Sequence, residues 1–385
     1  MTPFKKTILF LHRWLGFISG LVVFIVSVTG CLFVFQDELQ DAFKSYRHVK
    51  VEQRSFIKPS ELKQAALKQF PKGTTGFMAY YGKDRPALVM VTTAQKTNRY
   101  VYINPYSGKY LHDEDITRNF FIIVEYIHLY LLLPPKIGQL VVGISVIVFV
   151  VLLITGMVLW WPKRKSDRKR SLTIKWNGRW RRVNYDLHNV LGFYAFSISL
   201  ILALTGLCIA FNWMSDTVYK TTNLGESYAV EKYQPKSDST KKGLPYDVSI
   251  TDRAFAQVRR ETPQAEMFYI SEADRKTPAA TTYVTAYYSS MHFYRYDSYQ
   301  FDQFTGKELK YLPHQKKSAG EKMNAANYDI HVGQILGFPG KVIAFFASLI
   351  CASLPVTGFI VWLGKRNKKK RNPRIRHHKK IVPAV

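Results

Sequence analysis

Two stretches decide the fold: "LHRWLGFISGLVVFIVSVTGCLFVF" from Leu11 to Phe35, and "LHNVLGFYAFSISLILALTGLCIAF" from Leu187 to Phe211. Each is an apolar run of about 20 residues, enough for ~30 Å of hydrocarbon at 1.5 Å per residue. They align without a gap, His12 with His188, Gly16 with Gly192, and Thr29-Gly30 with Thr205-Gly206. Two further runs match each other: "YIHLYLLLPPKIGQLVVG" leading to "LLITGMVLWW", and "DIHVGQILGFPGKVIAF" leading to "SLPVTGFIVWL". There His128 aligns with His331, and Thr155-Gly156 with Thr357-Gly358. The chain thus reads as two copies of helix, polar stretch, helix. Both copies start on one side, as parallel repeats about an axis along the membrane normal.

The four spans run from about Trp14 to Phe35, Ile137 to Trp161, Val190 to Trp213 and Val342 to Leu363. The first lacks an A-x-A-like cleavage site and is read as a retained helix. The 385 residues carry a net charge of +28. Segments 1–13, 162–182 and 364–385 hold 22 of those charges, all beside span ends. Stretches 37–120 and 214–330 are far closer to neutral. The positive-inside rule makes the three basic segments cytoplasmic and both long stretches external. Lipid headgroups, rather than nucleic acid, account for the charge. The three cysteines, Cys31, Cys208 and Cys351, all lie inside spans, so the outer stretches have no disulfide framework.

The expected architecture is an α-helical integral membrane protein with four transmembrane helices in two parallel pseudo-symmetric repeats, each with an α+β outer domain. Residues 1–36 form the first helix with a cytoplasmic N-terminus, and 37–119 the first outer domain. A half-helix and the second span occupy 120–161, and a basic linker 162–186. The third span takes 187–214, the second outer domain 215–327, a half-helix and fourth span 328–363, and a basic tail 364–385. In the outer stretches, "PALVMVTT" from Pro86, "RYVYINP" from Arg99, "ATTYVTAYY" from Ala280 and "YQFDQFTG" from Tyr299 read as strands. "KPSELKQAALKQF" from Lys58 and "ITDRAFAQVRRETP" from Ile250 read as helices, with Ser60 and Thr251 or Asp252 as N-caps. The dense tyrosines there suit sheet packing, or an aromatic rim for a bulky ligand.

Only four of the ten histidines recur at equivalent places: His12 with His188, and His128 with His331. Ionisable groups near membrane depth are costly and turn to the protein interior. Two imidazoles facing across the axis suit a flat, six-coordinate iron, a bis-histidine haem. Zinc asks for four ligands, and no Cys, Asp or Glu recurs beside these histidines. A proton relay is the competing use. Gly16 and Gly192 lie one turn beyond their histidines and leave room for a porphyrin. By helix rise, Gly30 and Gly206 reach the level of His128 and His331, and Gly156 and Gly358 approach that of His12 and His188. Arg13 and Arg182 are cations near the first pair. Asp186 and Asp329, each two residues before a histidine, either orient a ring N–H or cap a helix start, capping being the preferred reading. No C-x-x-C-H is present, so two b-type haems are expected. No dinucleotide or P-loop motif occurs; electrons come from a separate cytoplasmic or quinol donor.

"LHRWLGF", "DLHNVLGFY", "IHVGQILGFPGK", the four Thr-Gly pairs and the "INPYSGK" and "FDQFTGK" turns together resemble the PepSY-associated transmembrane-helix family, often called iron-regulated membrane proteins. The resemblance implies a bacterial inner-membrane protein with both termini cytoplasmic and PepSY-like periplasmic domains. Members include haem-containing ferric-siderophore reductases, which implies haem ligation by His12, His188, His128 and His331 and a ferric siderophore as substrate. The alternatives are an iron-siderophore permease and a PepSY-type regulator of a periplasmic peptidase. The sequence names no catalytic residue.

Overall fold

The computed structural model describes residues 2–162, 164–244 and 247–371. Most of the expected basic tail, with His377 and His378, lies outside the described residues.

Among the described residues four helical stretches are long and apolar enough to cross a membrane: Pro3–Phe33, Pro135–Trp160, Trp180–Ala210 and Gln334–Gly364. The first is α1, which starts with Thr2 as N-cap and Pro3 at the first turn. Helix α2 (Gln36–Phe43) and α3 (Pro59–Gln69) follow, then strands β1 (Thr74–Tyr80), β2 (Ala87–Thr92), β3 (Asn98–Ile103) and β4 (Tyr110–Asp115). Helix α4 (Phe120–Tyr130) is capped by Asn119, whose side chain accepts from the N–H groups of Phe121 and Ile122. Leu131 and Leu132 then turn left-handed, and Pro134-Pro135 restarts the chain as α5 (Pro135–Trp160). Gly138 is obligatory in this elbow, because a Cβ there would meet the Tyr130 carbonyl oxygen at 2.2 Å.

The basic linker contains α6 (Arg168–Leu172). Helix α7 (Trp180–Asp186) runs through a π-turn at Leu187–Leu191 into α8 (Gly192–Ala210). Helices α9 (Asn212–Thr222), α10 (Ala229–Lys232) and α11 (Ser249–Glu261) lead to β5 (Met267–Ser271), β6 (Thr281–Tyr287), β7 (Tyr296–Asp302) and β8 (Glu308–Leu312). Helix α12 (Ala319–His331) and α13 (Gly337–Arg371, with Pro355 inside) complete the described chain.

The two polar stretches do not stand apart as separate modules. Their strands join in one eight-stranded antiparallel sheet of order β4-β3-β2-β1-β5-β6-β7-β8. The junction is the β1–β5 pair, with Met78 opposite Ile270 and Tyr80 opposite Phe268. On one face α3 and α11 cover a shared core containing Leu62, Val89, Val101, Val258, Val284 and Phe301, all fully buried. Tyr80 stacks on Phe255 at 4.7 Å, and Asp252 accepts from the Ser60 N–H and hydroxyl, so both contacts bridge the halves. Each half alone would leave an apolar sheet edge open, which explains the fusion. The expected caps fail for the same reason. Ser60 and Asp252 are spent on each other, and the residues at the helix starts, Lys58 and Val248, make no side-chain cap.

The sheet is tied to the bundle by charge. Arg47 pairs with Asp37 and Asp41, Arg85 with Asp41, and Lys341 with Glu38 at 2.9 Å. Helix α2 is thereby clamped to the β1–β2 turn and to α13. The large apolar side chains left exposed concentrate on the four long helices, among them Ile18, Leu21, Ile144 and Phe346. With its apolar helices, this is a membrane protein whose polar sheet stands at one end of a helical bundle.

Candidate functional site

The π-turn at Leu187–Leu191 carries His188, and α1 carries His12; their ring centroids lie 6.5 Å apart, the ring planes nearly perpendicular at 83°. At the sheet end, His128 of α4 and His331 of α12 face each other at 6.1 Å and 65°. The pairs are those expected from depth.

Each imidazole meets the same partner. The Nδ1 atoms of His12, His188, His128 and His331 lie 2.9, 2.9, 3.1 and 2.9 Å from the hydroxyls of Thr155, Thr357, Thr29 and Thr205. A threonine hydroxyl has a single proton. Thr155 gives it to the Val151 carbonyl, Thr357 to Ser353, Thr29 to Ile25 and Thr205 to Ile201, all at 2.8–2.9 Å. Each hydroxyl oxygen is therefore left to accept, and each Nδ1 must donate. His128 Nδ1 also reaches the Val26 carbonyl at 2.9 Å, which can only accept. The network assigns one tautomer four times, with Nδ1 protonated and the Nε2 lone pair available for a metal.

The glycine after each threonine completes the unit. A Cβ at Gly156, Gly358, Gly30 or Gly206 would sit 3.3, 3.1, 3.4 or 3.1 Å from Cε1 of the histidine held by its neighbour. The Thr-Gly pair is thus acceptor plus clearance, where sequence reasoning saw only clearance. Helix α1 supplies His12 to one pair and Thr29 to the other, 17 residues or roughly 25 Å further along. The π-turn and α8 together repeat this, with His188 in the turn and Thr205 17 residues later in α8.

Around His12 and His188 lies a cavity of about 550 Å³. Gly16, Gly20, Gly192, Gly156 and Gly358 open its walls, and Phe17, Phe193, Trp160 and Trp362 surround it. Arg13 lines it too, and its buried Nε finds no partner among the described residues. Arg366 is a second cation there. Arg182 is not: it pairs with Asp186 at 2.8 Å. The two aspartates neither orient a ring nor cap a helix start. Asp186 closes the end of α7 and accepts from the Lys175 N–H; Asp329 sits in the last turn of α12 and accepts from the N–H groups of Phe293 and Tyr294. The ring N–H groups are met by threonines instead.

The residues fit a flat, bis-imidazole metal group. A metal–imidazole nitrogen bond is about 2 Å, so two imidazoles on opposite sides of one ion put their centroids roughly 6 Å apart. Both pairs have that separation. Among the described residues no group of three or more His, Cys, Asp or Glu side chains is placed to hold a metal ion, so a zinc-type site is not formed there.

Of the tyrosines, Tyr80, Tyr102, Tyr106 and Tyr299 are buried packing residues. Phe293 touches Tyr328 at 5.5 Å and Tyr287 at 5.6 Å, so an aromatic run leads from the α12 turn preceding His331 to the sheet. Glu125, one turn before His128, lies beside Tyr100 and Tyr328, and burial pushes its carboxyl up. Sequence reading passed over Glu125, Tyr328 and the four hydroxyls; the i, i+3 spacing of Glu125 to His128 was the available signal.

No curated protein matches this chain. The family model described as the PepSY-associated TM region matches residues 9–365, spanning all four histidines, all four Thr-Gly pairs and the whole sheet. The chain is a member of the PepSY-associated transmembrane family.

Proposed function

We propose that this protein is a transmembrane electron carrier. In this reading it holds two b-type haems and reduces a ferric siderophore, or another ferric chelate, at the sheet end. The observation that carries the reading is the fourfold His–Thr–Gly unit, with its single tautomer and its two metal-length gaps. A proton relay gains nothing from tautomers fixed in this way, because a relay needs Nδ1 and Nε2 to exchange roles.

A bound haem would supply a one-electron ferric/ferrous couple, its potential set by axial ligands and burial. The chain's own residues do the rest. His12 and His188 would hold one group and His128 and His331 the other. The four threonines keep each Nδ1 proton in place and raise ligand basicity. The glycines give a macrocycle room. Arg13, with its unpartnered Nε, is placed to meet a propionate carboxylate. Phe17, Phe193, Trp160 and Trp362 exclude water from the His12/His188 cavity.

The charge pattern supports a sheet facing outward and both termini facing the cytoplasm of a bacterial inner membrane. The matched contacts support two parallel repeats about an axis through the β1–β5 junction. Ferric iron is held by the hard oxygen donors of siderophores, and ferrous iron, with less charge, is held less well. One electron delivered under the tyrosine-rich face of the sheet therefore loosens the complex without breaking the chelator.

The test is haem content followed by turnover. Pyridine haemochrome on protein from haem-replete cells should give two haems per chain. In proteoliposomes, pre-reduced haems should reoxidise when an impermeant ferric siderophore is added on the sheet side, in step with formation of a trapped ferrous complex. Haems that stay reduced with every ferric chelate would favour an iron-siderophore permease or a peptidase regulator.

A further inference from the structure

The basic linker between α5 and α7 is folded, which topology alone does not require. Three hydrogen bonds pin it to the bundle. Trp160 Nε1 donates to the Ser171 carbonyl at 3.0 Å, and the Tyr194 hydroxyl donates to the Leu172 carbonyl at 3.2 Å. Asp186, 2% exposed, accepts from the Lys175 N–H at 3.3 Å and from Arg182 Nε at 2.8 Å. The pinned linker encloses an open groove of about 1020 Å³, lined by Lys169, Arg170, Lys175, Trp176 and Asn177. Of its four cations Lys169, Arg170 and Lys175 are exposed, while Arg182 is paired with Asp186, and Trp176 is 70% exposed. Across residues 162–182 the sole acidic residue is Asp167.

Trp160 belongs to both sides of this arrangement. It grips the linker at Ser171, stacks on Phe193 at 3.9 Å, and lines the cavity around His12 and His188. The indole that lines the cavity is thus hydrogen-bonded to the linker that forms the groove.

We propose that this groove docks a small acidic one-electron carrier protein that feeds the His12/His188 site; the electron-feeding part rests on the di-haem reading. Charge complementarity selects the partner's sign, and an exposed Trp among cations is a typical anchor for a protein face. The groove is wider than a lipid headgroup needs, and transient redox complexes bury little surface, under about 1,200 Å². The reduced carrier would give up one electron and be oxidised, and a ferric haem held by His12 and His188 would take it up and become ferrous, with no bond made or broken.

The experiment uses the full chain in nanodiscs of neutral phosphatidylcholine and a plant-type [2Fe–2S] ferredoxin as the acidic probe. Binding is read by interferometry at 50 and 300 mM salt, and does not depend on haem. The groove variant Arg170→Glu/Lys175→Glu is compared with Lys5→Glu/Lys6→Glu, which reverses two cations at the same membrane end outside the groove. Expected at low salt is a loss of about tenfold or more for the groove variant, with a small change for the control, and a wild-type affinity that falls with salt. Trp176→Ala should weaken binding with little change in salt slope. Equal losses in both charge variants would assign the effect to general charge at that membrane end and overturn the proposal, as would no wild-type binding. Groove-dependent binding with no haem in the protein sinks the electron path but keeps the docking surface. Binding without reduction of haems that dithionite readily reduces overturns the feeding role alone.

Discussion

Replacing Thr155 by Val tests the site's central feature, because it removes an acceptor while keeping shape. The hydroxyl lies 2.9 Å from His12 Nδ1 and donates its own proton to Val151. Its loss leaves a buried N–H short of one partner, a change of about 1–3 kcal/mol for a fully orphaned group. The Leu152 carbonyl is close enough to take part of that bond, which places the effect near the lower end. The hydrogen bond favours the more basic imidazole and hence ferric iron. On the proposed di-haem reading, removing it should raise the midpoint of the haem that His12 and His188 would hold. The midpoint moves only by the part of that energy that differs between ferric and ferrous iron; at 59 mV per 1.36 kcal/mol for one electron, a difference of about 0.5–1 kcal/mol is roughly 20–40 mV. Potentiometric titration of the Soret band should show one of two haems moving upward by tens of millivolts. Thr155→Ser, which keeps the oxygen, should restore the wild-type value. Two unmoved midpoints, or equal movement of both, would refute the claim that this hydroxyl is an acceptor for one particular ligand.

Three further expectations follow from the same geometry. His12→Ala and His188→Ala should each abolish the same haem signal, and His128→Ala and His331→Ala the other; within a pair the double variant should match the singles by low-temperature spectra. If the chain holds two haems as proposed, Gly206→Val should lower haemochrome content from two to one, because even a Cβ there approaches the His331 ring at 3.1 Å. Lys317, 3% exposed, lies 3.0 Å from the Tyr296 ring centroid, and burial pulls its ammonium down to about 7 despite Glu321, Asp297 and Glu231 nearby. Between about pH 7 and its ordinary value the unfolded chain binds more protons there than the folded one, so this group makes stability rise with pH in that window. Lys317→Met should flatten the rise, as followed by thermal melting of the solubilised protein.

Much of this was legible in residue order because a duplication acts as its own control. His12 and His188 recur at one offset with the same Thr-Gly pair 17 residues on, so depth and pairing follow from helix rise alone. The strands that escaped notice are those with poor alternation. "YLHDED" of β4 is half-buried at every position, and "ELKYL" of β8 is nearly as polar, because both are edge strands with no apolar face to declare. β1 and β5 became visible only as each other's partners, since their pairing joins residues nearly 200 apart in the chain. No local pattern reports such a contact, and expecting two modules was the natural consequence.

The threonines show a different limit. In the sequence each is one half of a small-residue pair, and small residues in membrane helices ordinarily mean close packing. Their chemical role depends on a proton count that only the folded helix fixes. The i−4 carbonyl takes the hydroxyl proton, and the oxygen that remains has one suitable donor nearby, the imidazole. A helix interior thereby turns a neutral alcohol into an obligate acceptor, without a charged group at membrane depth. An aspartate or glutamate in the same place would hold the Nδ1 proton more strongly, but burying that charge in hydrocarbon would cost several kcal/mol. The threonine is the weaker acceptor that a membrane can accommodate four times, and it meets an imidazole at both ends of the bundle.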